Sequence, residues 1–306
     1  MGPPTSSFRV PGDEASAPER RGRGDALRTL EPAEPGAESS APREDAQQAV
    51  NWSDELEELH EESSKTHFID VWTRKAIIQR IGGLPASPTV IDVGCSTGHL
   101  LKDLSMALPR ARLIGVDLVA SGLLKAGRQV PRATLLRADV CNLPLEEECA
   151  DGVVSANVLE HVPDDVGALR ELGRVLRPGG RAVIVVPAGP HNYDYYDRFL
   201  GHERRYGRGE LARKAGTVGL RTVEDLHLGA PLYPAFWLTK QRNRRVHGGL
   251  HGEALRERVK TDIDRTVDSR LGHLACRAEE LLLELGLSLP FGIRGLTVLE
   301  RPREAR

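Results

Sequence analysis

The sequence predicts an α/β fold built on a mostly parallel sheet, and three observations carry that expectation. Short apolar segments at Thr89–Val93, Arg112–Val116, Thr134–Ala138, Gly152–Ser155 and Ala182–Val186 alternate with amphipathic stretches at Gly98–Leu108, Ala120–Gln129 and Asp165–Leu176. Apolar strands that alternate with helices belong to parallel sheets covered on both faces. The first segment runs straight into a glycine turn, Gly94-Cys95-Ser96-Thr97-Gly98, and then a helix; the next two end on acidic residues, Asp117 and Asp139.

The flanks follow from composition and period. Residues 1–50 are rich in Pro, Gly, Ala, Glu and Arg. Such a stretch buries too little apolar surface to offset an ordering entropy of about 1–2 kcal/mol per residue, so a disordered tail is expected. From residue 51 a single domain is expected to run to the end of the chain. Trp52, Leu56, Leu59, Phe68, Val71, Trp72, Ile77, Ile78 and Ile81 recur at helical spacing up to Gly82-Gly83. Leu220–Leu228 and Ile293–Glu300 read as two more strands, and residues 231–289 between them as a helical insertion. Leu274, Ala278, Leu281, Leu282 and Leu285 give that insertion an apolar face. It is expected to cap the substrate pocket or to form a homodimer contact.

A length of 306 residues with a net charge of −2 shows no global pull toward nucleic acid or an anionic membrane. The cysteines Cys95, Cys141, Cys149 and Cys276 form no C-x-x-C pair. They read as free thiols, and with no apolar leader or long apolar run the expected place is the cytoplasm. The start Gly2-Pro3-Pro4-Thr5-Ser6 fits a myristoylation pattern only formally. Arg242, Arg244, Arg245 and His247 form a basic run that reads as a solvated face.

The strand–turn–helix at Val90–Leu100 marks a ligand site. Glycine lets the backbone turn tightly and a ligand approach, and the helix start beyond it presents unpaired N–H groups. In an open parallel sheet such a turn lies beside the switch point where ligands bind. A phosphate-binding P-loop is excluded, because Gly98 is followed by His99-Leu100 rather than Lys-Ser/Thr. A dinucleotide fingerprint is disfavoured, because Ser96 stands at the middle glycine. Asp92 at the strand end would repel a pyrophosphate and attract a cationic amino-acid ligand. Asp117, about twenty residues beyond the turn, is placed to accept hydrogen bonds from ribose hydroxyls. Asp139 can read the amino edge of an adenine.

These residues resemble the class I S-adenosylmethionine-dependent methyltransferases. Asp92-Val-Gly94-Cys95-Ser-Thr-Gly98 resembles the family's first motif, with Ser96 where glycine is commoner. Asp117 matches the ribose acid and Ala138-Asp139-Val140 the adenine motif. Ala150–His161 resembles the fourth-strand motif, and Leu172–Gly180 the approach to strand five. The resemblance implies a Rossmann-like, seven-stranded, mostly parallel sheet with an antiparallel last strand in three α/β/α layers, and S-adenosyl-L-methionine as cofactor. It assigns Asp92, Gly94, Cys95, Gly98, Asp117, Leu118, Asp139, Val140 and Asn157 to the cofactor. A small-molecule acceptor is implied, methylated at oxygen, nitrogen or carbon, in natural-product or glycan-related biosynthesis. A non-catalytic cofactor-binding scaffold and a nicotinamide oxidoreductase are the rival readings.

No Asn-Pro-Pro-Tyr or Asp-Pro-Pro-Tyr element follows the fourth strand, which argues against amino-adenine or glutamine acceptors. The strand ends instead at Glu160-His161. Some small-molecule O-methyltransferases bind a metal near a similar pair, but the sequence shows no second pair to complete such a site, and no metal is expected. Past strand five lie His191, Tyr193, Asp194, Tyr195, Tyr196 and Asp197, then Gly201-His202-Glu203-Arg204-Arg205-Tyr206. This Gly-His-x-Arg-Arg-Tyr segment resembles one found in small-molecule and glycan-associated members. The expected catalytic residues are His161, His191, His202, Tyr193 and Arg205.

Overall fold

The computed structural model describes residues 65–266 and 269–303, apart from the side chains of 260 and 263–266. The expected tail at 1–50, the domain start at 51 and the helical signals at Trp52, Leu56 and Leu59 lie outside the described residues. In chain order the elements are α1 (Phe68–Arg80), β1 (Thr89–Val93), α2 (His99–Ala107), β2 (Arg112–Asp117), α3 (Ala120–Gln129), β3 (Thr134–Arg137), β4 (Ala150–Ala156), α4 (Asp165–Val175), β5 (Leu176–Pro187), α5 (Tyr195–Phe199), α6 (Glu210–Thr217), β6 (Arg221–Leu228), α7 (Tyr233–His247), α8 (Gly252–Thr266), α9 (Arg270–Glu284) and β7 (Arg294–Glu300). One seven-stranded sheet runs β3-β2-β1-β4-β5-β7-β6. The first five strands are parallel; β7 is antiparallel to both β5 and β6.

The apolar residues of β1, β2, β4 and β5 face two ways, as a doubly covered sheet requires. On one side Ile91, Val153 and Ile184 pack with Leu169 and Leu172 of α4 and Leu211 of α6. On the other, Val90, Val154 and Val183 pack with Trp72 and Ile77 of α1 and with Leu101 and Leu104 of α2. From β1 the chain goes to β2 on one side, while β4 lies on the other. The carboxyl ends of β1 and β4 therefore border the switch point.

Two differences from the sequence expectation are physical. Strand β5 begins at Leu176, because Ala150 pairs with Leu176 ahead of a bulge in the ladder. The leucine face expected on the insertion, as a pocket cap or a homodimer contact, is turned to solvent and lines no part of the main cavity: Leu274, Leu281 and Leu285 are 64 %, 62 % and 75 % exposed. The packed face carries Gly272, Cys276 and Glu279. A Cβ on Gly272 would sit 2.7 Å from the Phe68 ring, so only glycine lets α9 come this close to α1. Glu279 then accepts from Trp72 Nε1 (2.9 Å), Gly229 N (2.7 Å) and Ala230 N (2.8 Å). These three hydrogen bonds tie α9 to α1 and to the chain just past β6. The four cysteines are free thiols. Among the described residues no helix is long and apolar enough to cross a membrane.

Candidate functional site

The loop after β1 is a main-chain cradle. Gly94 (φ +75°) and Gly98 (φ +89°) adopt left-handed conformations open to glycine. A Cβ on Gly94 would lie 2.1 Å from Val158 Cγ2, and one on Gly98 2.8 Å from Ala126 Cβ. The glycines thus let the loops after β1 and β4 meet, and let α2 start against α3. Gly94 N and Cys95 N both donate to Val116 O, at 2.8 and 3.1 Å. Ser96 (φ +46°) donates its N–H to Asp117 Oδ2 at 2.8 Å, and Val119 N donates to Asp117 Oδ1 at 2.9 Å. Asp117 fixes the cradle and the start of α3 together. A carboxylate offers about four lone-pair positions, so this duty is compatible with accepting a ribose hydroxyl. Asp139 Oδ1 accepts from Cys141 N at 2.8 Å.

This cradle forms one end of a cavity of about 820 Å³. All the sequence-predicted cofactor residues line it except Gly98, which stands behind the loop as the N-cap of α2. Asp92 is buried, and its Oδ2 has no hydrogen-bond partner among the described residues. Burial, then the nearby Asp117 charge, pushes its carboxyl up to about 8. A buried acid in this position is satisfied by a cationic amine. A glycine cradle, strand-end acids for a ribose and an adenine edge, and an orphaned acid for an amino group together fit S-adenosylmethionine.

The other end of the cavity is built from side chains. Glu160 and His161 lie in a 3-10 turn, Leu159–His161, just past β4. Glu160 is fully buried, and burial, opposed by the charges of Arg294 and Arg205, raises its carboxyl to about 8. The His161 and His202 rings meet edge to face with centroids 4.7 Å apart. His202 Nδ1 is 2.9 Å from Asp197 Oδ1, which also accepts from Arg205 Nε at 2.6 Å. Lys240 of α7 reaches Asp194 Oδ1 at 2.7 Å and Asp197 Oδ2 at 3.5 Å. Burial works to raise the Asp197 carboxyl, yet the His202 hydrogen bond and the Arg205 and Lys240 charges hold it below the usual carboxylate range. Burial depresses the His202 imidazole, and the Asp197 contact recovers only part of the loss.

The Gly-His-x-Arg-Arg-Tyr segment explains how this end is held. Glu203 N donates to Glu160 O at 2.8 Å, and the Tyr206 hydroxyl donates to Leu159 O at 3.1 Å and Asp165 Oδ2 at 2.8 Å. Asp165 also pairs with Arg204 (3.0 Å) and Lys214 (2.6 Å). Everything around the Glu160 turn is pinned to residues 203–206, and His202 is delivered opposite Glu160 and His161.

Of the predicted catalytic residues, His161, His202 and Arg205 line the cavity; His191 and Tyr193 do not. His191 is exposed and bonds through Nε2 to the Tyr233 hydroxyl at 2.7 Å. The Tyr193 hydroxyl donates to His202 O at 2.7 Å, which supports the backbone of the neighbouring histidine. Sequence reasoning missed Lys240, Arg294 and Asp70. Arg294 pairs with Asp70 and donates to Thr73 Oγ1 at 2.7 Å, across a separation of more than two hundred residues that leaves no local signal. The Arg242, Arg244 and Arg245 run is solvent-exposed, as a solvated face should be.

Comparison with known proteins agrees with this geometry. A family model described as a methyltransferase domain matches residues 91–184. A ubiquinone/menaquinone biosynthesis C-methyltransferase of Syntrophotalea carbinolica is 32% identical over 155 residues, covering 49% of this chain and 63% of that protein. An uncharacterized methyltransferase of Mycobacteroides abscessus is 32% identical over 181 residues, covering 50% of this chain and 69% of that one. Among solved structures, phosphoethanolamine N-methyltransferase 2 of Haemonchus contortus in complex with S-adenosyl-L-methionine superposes with a TM-score of 0.57 at 18% identity, over 85% of this chain and 60% of that one. Geranyl diphosphate C-methyltransferase of Streptomyces coelicolor gives 0.52 at 14% identity, over 76% and 79%. The structural likenesses establish the fold and the sequence likenesses the lineage; with the glycine cradle and its carboxylates in place, the chain belongs to the class I S-adenosylmethionine-dependent methyltransferases.

Proposed function

We propose that the chain transfers the methyl group of S-adenosylmethionine to a small-molecule acceptor at oxygen, nitrogen or carbon. The observation that carries this reading is the single cavity, continuous from Asp117 and Asp139 at one end to Glu160 and His202 at the other. Its volume, about 820 Å³, lies within the range of roughly 300–1,000 Å³ typical of small-molecule sites. Leu232, Phe236 and Lys240, at the start of the inserted helices and along α7, close the acceptor end. A ubiquinone/menaquinone biosynthesis C-methyltransferase and a demethylmenaquinone methyltransferase among the sequence relatives are further support for a small acceptor.

S-adenosylmethionine supplies an activated methyl sulfonium whose leaving group is a neutral thioether. The chain's own task is to hold donor and acceptor in line and to exclude water, and orientation of this kind is worth about 7–11 kcal/mol at best. Asp117 and the Gly94–Gly98 loop fix the donor, and Asp92 meets its amino group. At the acceptor end, burial raises the Glu160 carboxyl and depresses the His202 imidazole, and Arg205 and Asp197 hold the His202 ring in one orientation.

Calorimetric titration with S-adenosylhomocysteine tests the donor half, and a screen of acceptors with labelled methyl donor tests the transfer. Asp117→Ala is expected to weaken S-adenosylhomocysteine by about 1.5–3 kcal/mol, the loss of charge-assisted hydrogen bonds. Unchanged affinity would refute the ribose assignment. A larger thermal shift with NAD than with S-adenosylhomocysteine would sink the whole reading.

A further inference from the structure

We propose that the acceptor end of the cavity binds one divalent transition-metal ion through Glu160, His161 and His202, and that the ion holds the acceptor by an oxygen pair. The proposal rests on the cavity's being a methyl-transfer site. One potential ligand atom from each of the three residues lies within 4.8 Å of the other two, and all three residues are buried. Bonds of about 2.0–2.1 Å put ligand atoms roughly 3.3 Å apart, a difference that side-chain rotation closes.

Two independent observations point to a cation there. Neither carboxylate oxygen of Glu160, a residue with 0% exposure, has a hydrogen-bond partner on another residue among the described residues. The cations around it are already matched: Arg205 to Asp197, Lys240 to Asp194 and Arg294 to Asp70. Glu160 is the carboxyl these pairings leave without a cation. A buried carboxylate in that position is stabilised by a metal ion or it stays protonated. Second, His202 already carries the partner a metal-bound histidine needs. Its Nδ1 is bonded to Asp197, which leaves Nε2 as the ligand nitrogen, and such carboxylate–histidine pairs fix the tautomer and raise the ligand's basicity. Arg205 Nε in turn anchors Asp197.

The donor set selects the ion and the acceptor. Two imidazoles and one carboxylate suit Zn²⁺, Mn²⁺, Fe²⁺ or Co²⁺ better than Mg²⁺ or Ca²⁺, which favour all-oxygen sites. Three protein ligands leave positions open for substrate. A vicinal diol, catechol or hydroxy-ketone fills two of them. On binding, one acceptor oxygen loses its proton to water; that oxygen's lone pair then forms the bond to the methyl carbon as the carbon–sulfur pair departs on the thioether.

The test is titration of the chelator-stripped full chain with Co²⁺, read by visible d–d absorption, with S-adenosylhomocysteine calorimetry on the same sample. One Co²⁺ per chain with an imidazole-type spectrum, shifted again by added nitrocatechol, is expected. Asp197→Asn should weaken Co²⁺ by about 10–100-fold. Glu160→Gln and His202→Ala should abolish the spectrum while S-adenosylhomocysteine affinity and far-UV dichroism persist. If wild type binds S-adenosylhomocysteine but takes up no Co²⁺ at millimolar concentration, the metal site is wrong and Glu160 is left as a carboxyl for an amine acceptor. Failure to bind S-adenosylhomocysteine overturns the functional reading itself. A Co²⁺ spectrum indifferent to nitrocatechol overturns the oxygen-pair acceptor.

Discussion

The two ends of the cavity are made in different ways. The donor end is backbone: a turn at Gly94–Gly98, clamped to β2 by main-chain bonds to Val116 O and by Asp117. The acceptor end is side chains: Glu160, His161, His202 and Arg205 held by Asp197, with Lys240 arriving from α7. A backbone site is sensitive to added atoms, since it depends on close approach. A buried charge network is sensitive to removed charges, since each deletion strands a partner.

The largest expected effect comes from breaking the charge network. Lys240→Met leaves Asp194 and Asp197, both buried, short of a cation, and breaking a buried pair costs about 3–5 kcal/mol. Urea denaturation should show that loss, with S-adenosylhomocysteine affinity retained in the folded fraction. Adding Asp194→Asn should recover part of it. A loss below about 1 kcal/mol would mean that the network contributes little to stability and that the comparison is drawn wrongly.

The converse change acts on the donor end. Gly94→Ala places a methyl 2.1 Å from Val158 Cγ2 at φ +75°. The left-handed conformation costs a non-glycine residue about 1–2 kcal/mol and overpacking about 1–3 kcal/mol. Stability should fall, and S-adenosylhomocysteine affinity should fall further, because the cradle itself moves. Val158→Ala in the same chain should relieve the clash but not the backbone strain. Wild-type affinity in Gly94→Ala would show that the loop does not grip the donor.

The same contrast explains what could be read before the fold was seen. Asp92, Gly94, Asp117 and Asp139 lie at strand ends within one stretch, and their spacing is set by strand and helix lengths, so the sequence displays it. The alternation of strands and helices shows the parallel, doubly covered sheet, and the antiparallel last strand follows from the family resemblance. The acceptor end has no such ruler. Glu160 and His202 meet because residues 203–206 are bonded back to the loop after β4. Arg294 meets Asp70 only because β7 inserts beside β5 while α1 covers the sheet. His191 and Tyr193 bond to the Tyr233 hydroxyl and to His202 O and do not line the cavity, which residue type alone does not show. In α9 the leucine spacing marks a face turned to solvent, while the face packed on α1 is carried by Gly272 and Glu279, which no apolar period displays.

A smaller effect tests Asp92 by pH. Its carboxyl is raised to about 8, so in the free chain it is protonated below that pH. The cationic amino group of the donor favours the ionised form, so binding must expel a proton. Affinity for S-adenosylhomocysteine should therefore rise with pH, by up to about tenfold per unit between pH 6 and 7.5. Asp92→Asn should abolish that slope. A flat wild-type profile would remove Asp92 from the amino-group contact while leaving Asp117 untouched.

The smallest effect concerns Ser96, the one residue of the cradle that departs from the commoner glycine. It sits at φ +46°, strained for a side chain, and its N–H is spent on Asp117 Oδ2. Ser96→Gly removes a strain of about 1–2 kcal/mol. It also frees the unfolded chain, which costs about 0.4–1 kcal/mol. The two terms partly offset, so a gain between zero and about 1.6 kcal/mol is expected by thermal denaturation, with donor affinity unchanged because the N–H to Asp117 is kept. A marked loss of affinity would show that the serine hydroxyl, and not only the backbone, touches the donor. The donor end would then be partly a side-chain site, and the contrast with the acceptor end would narrow.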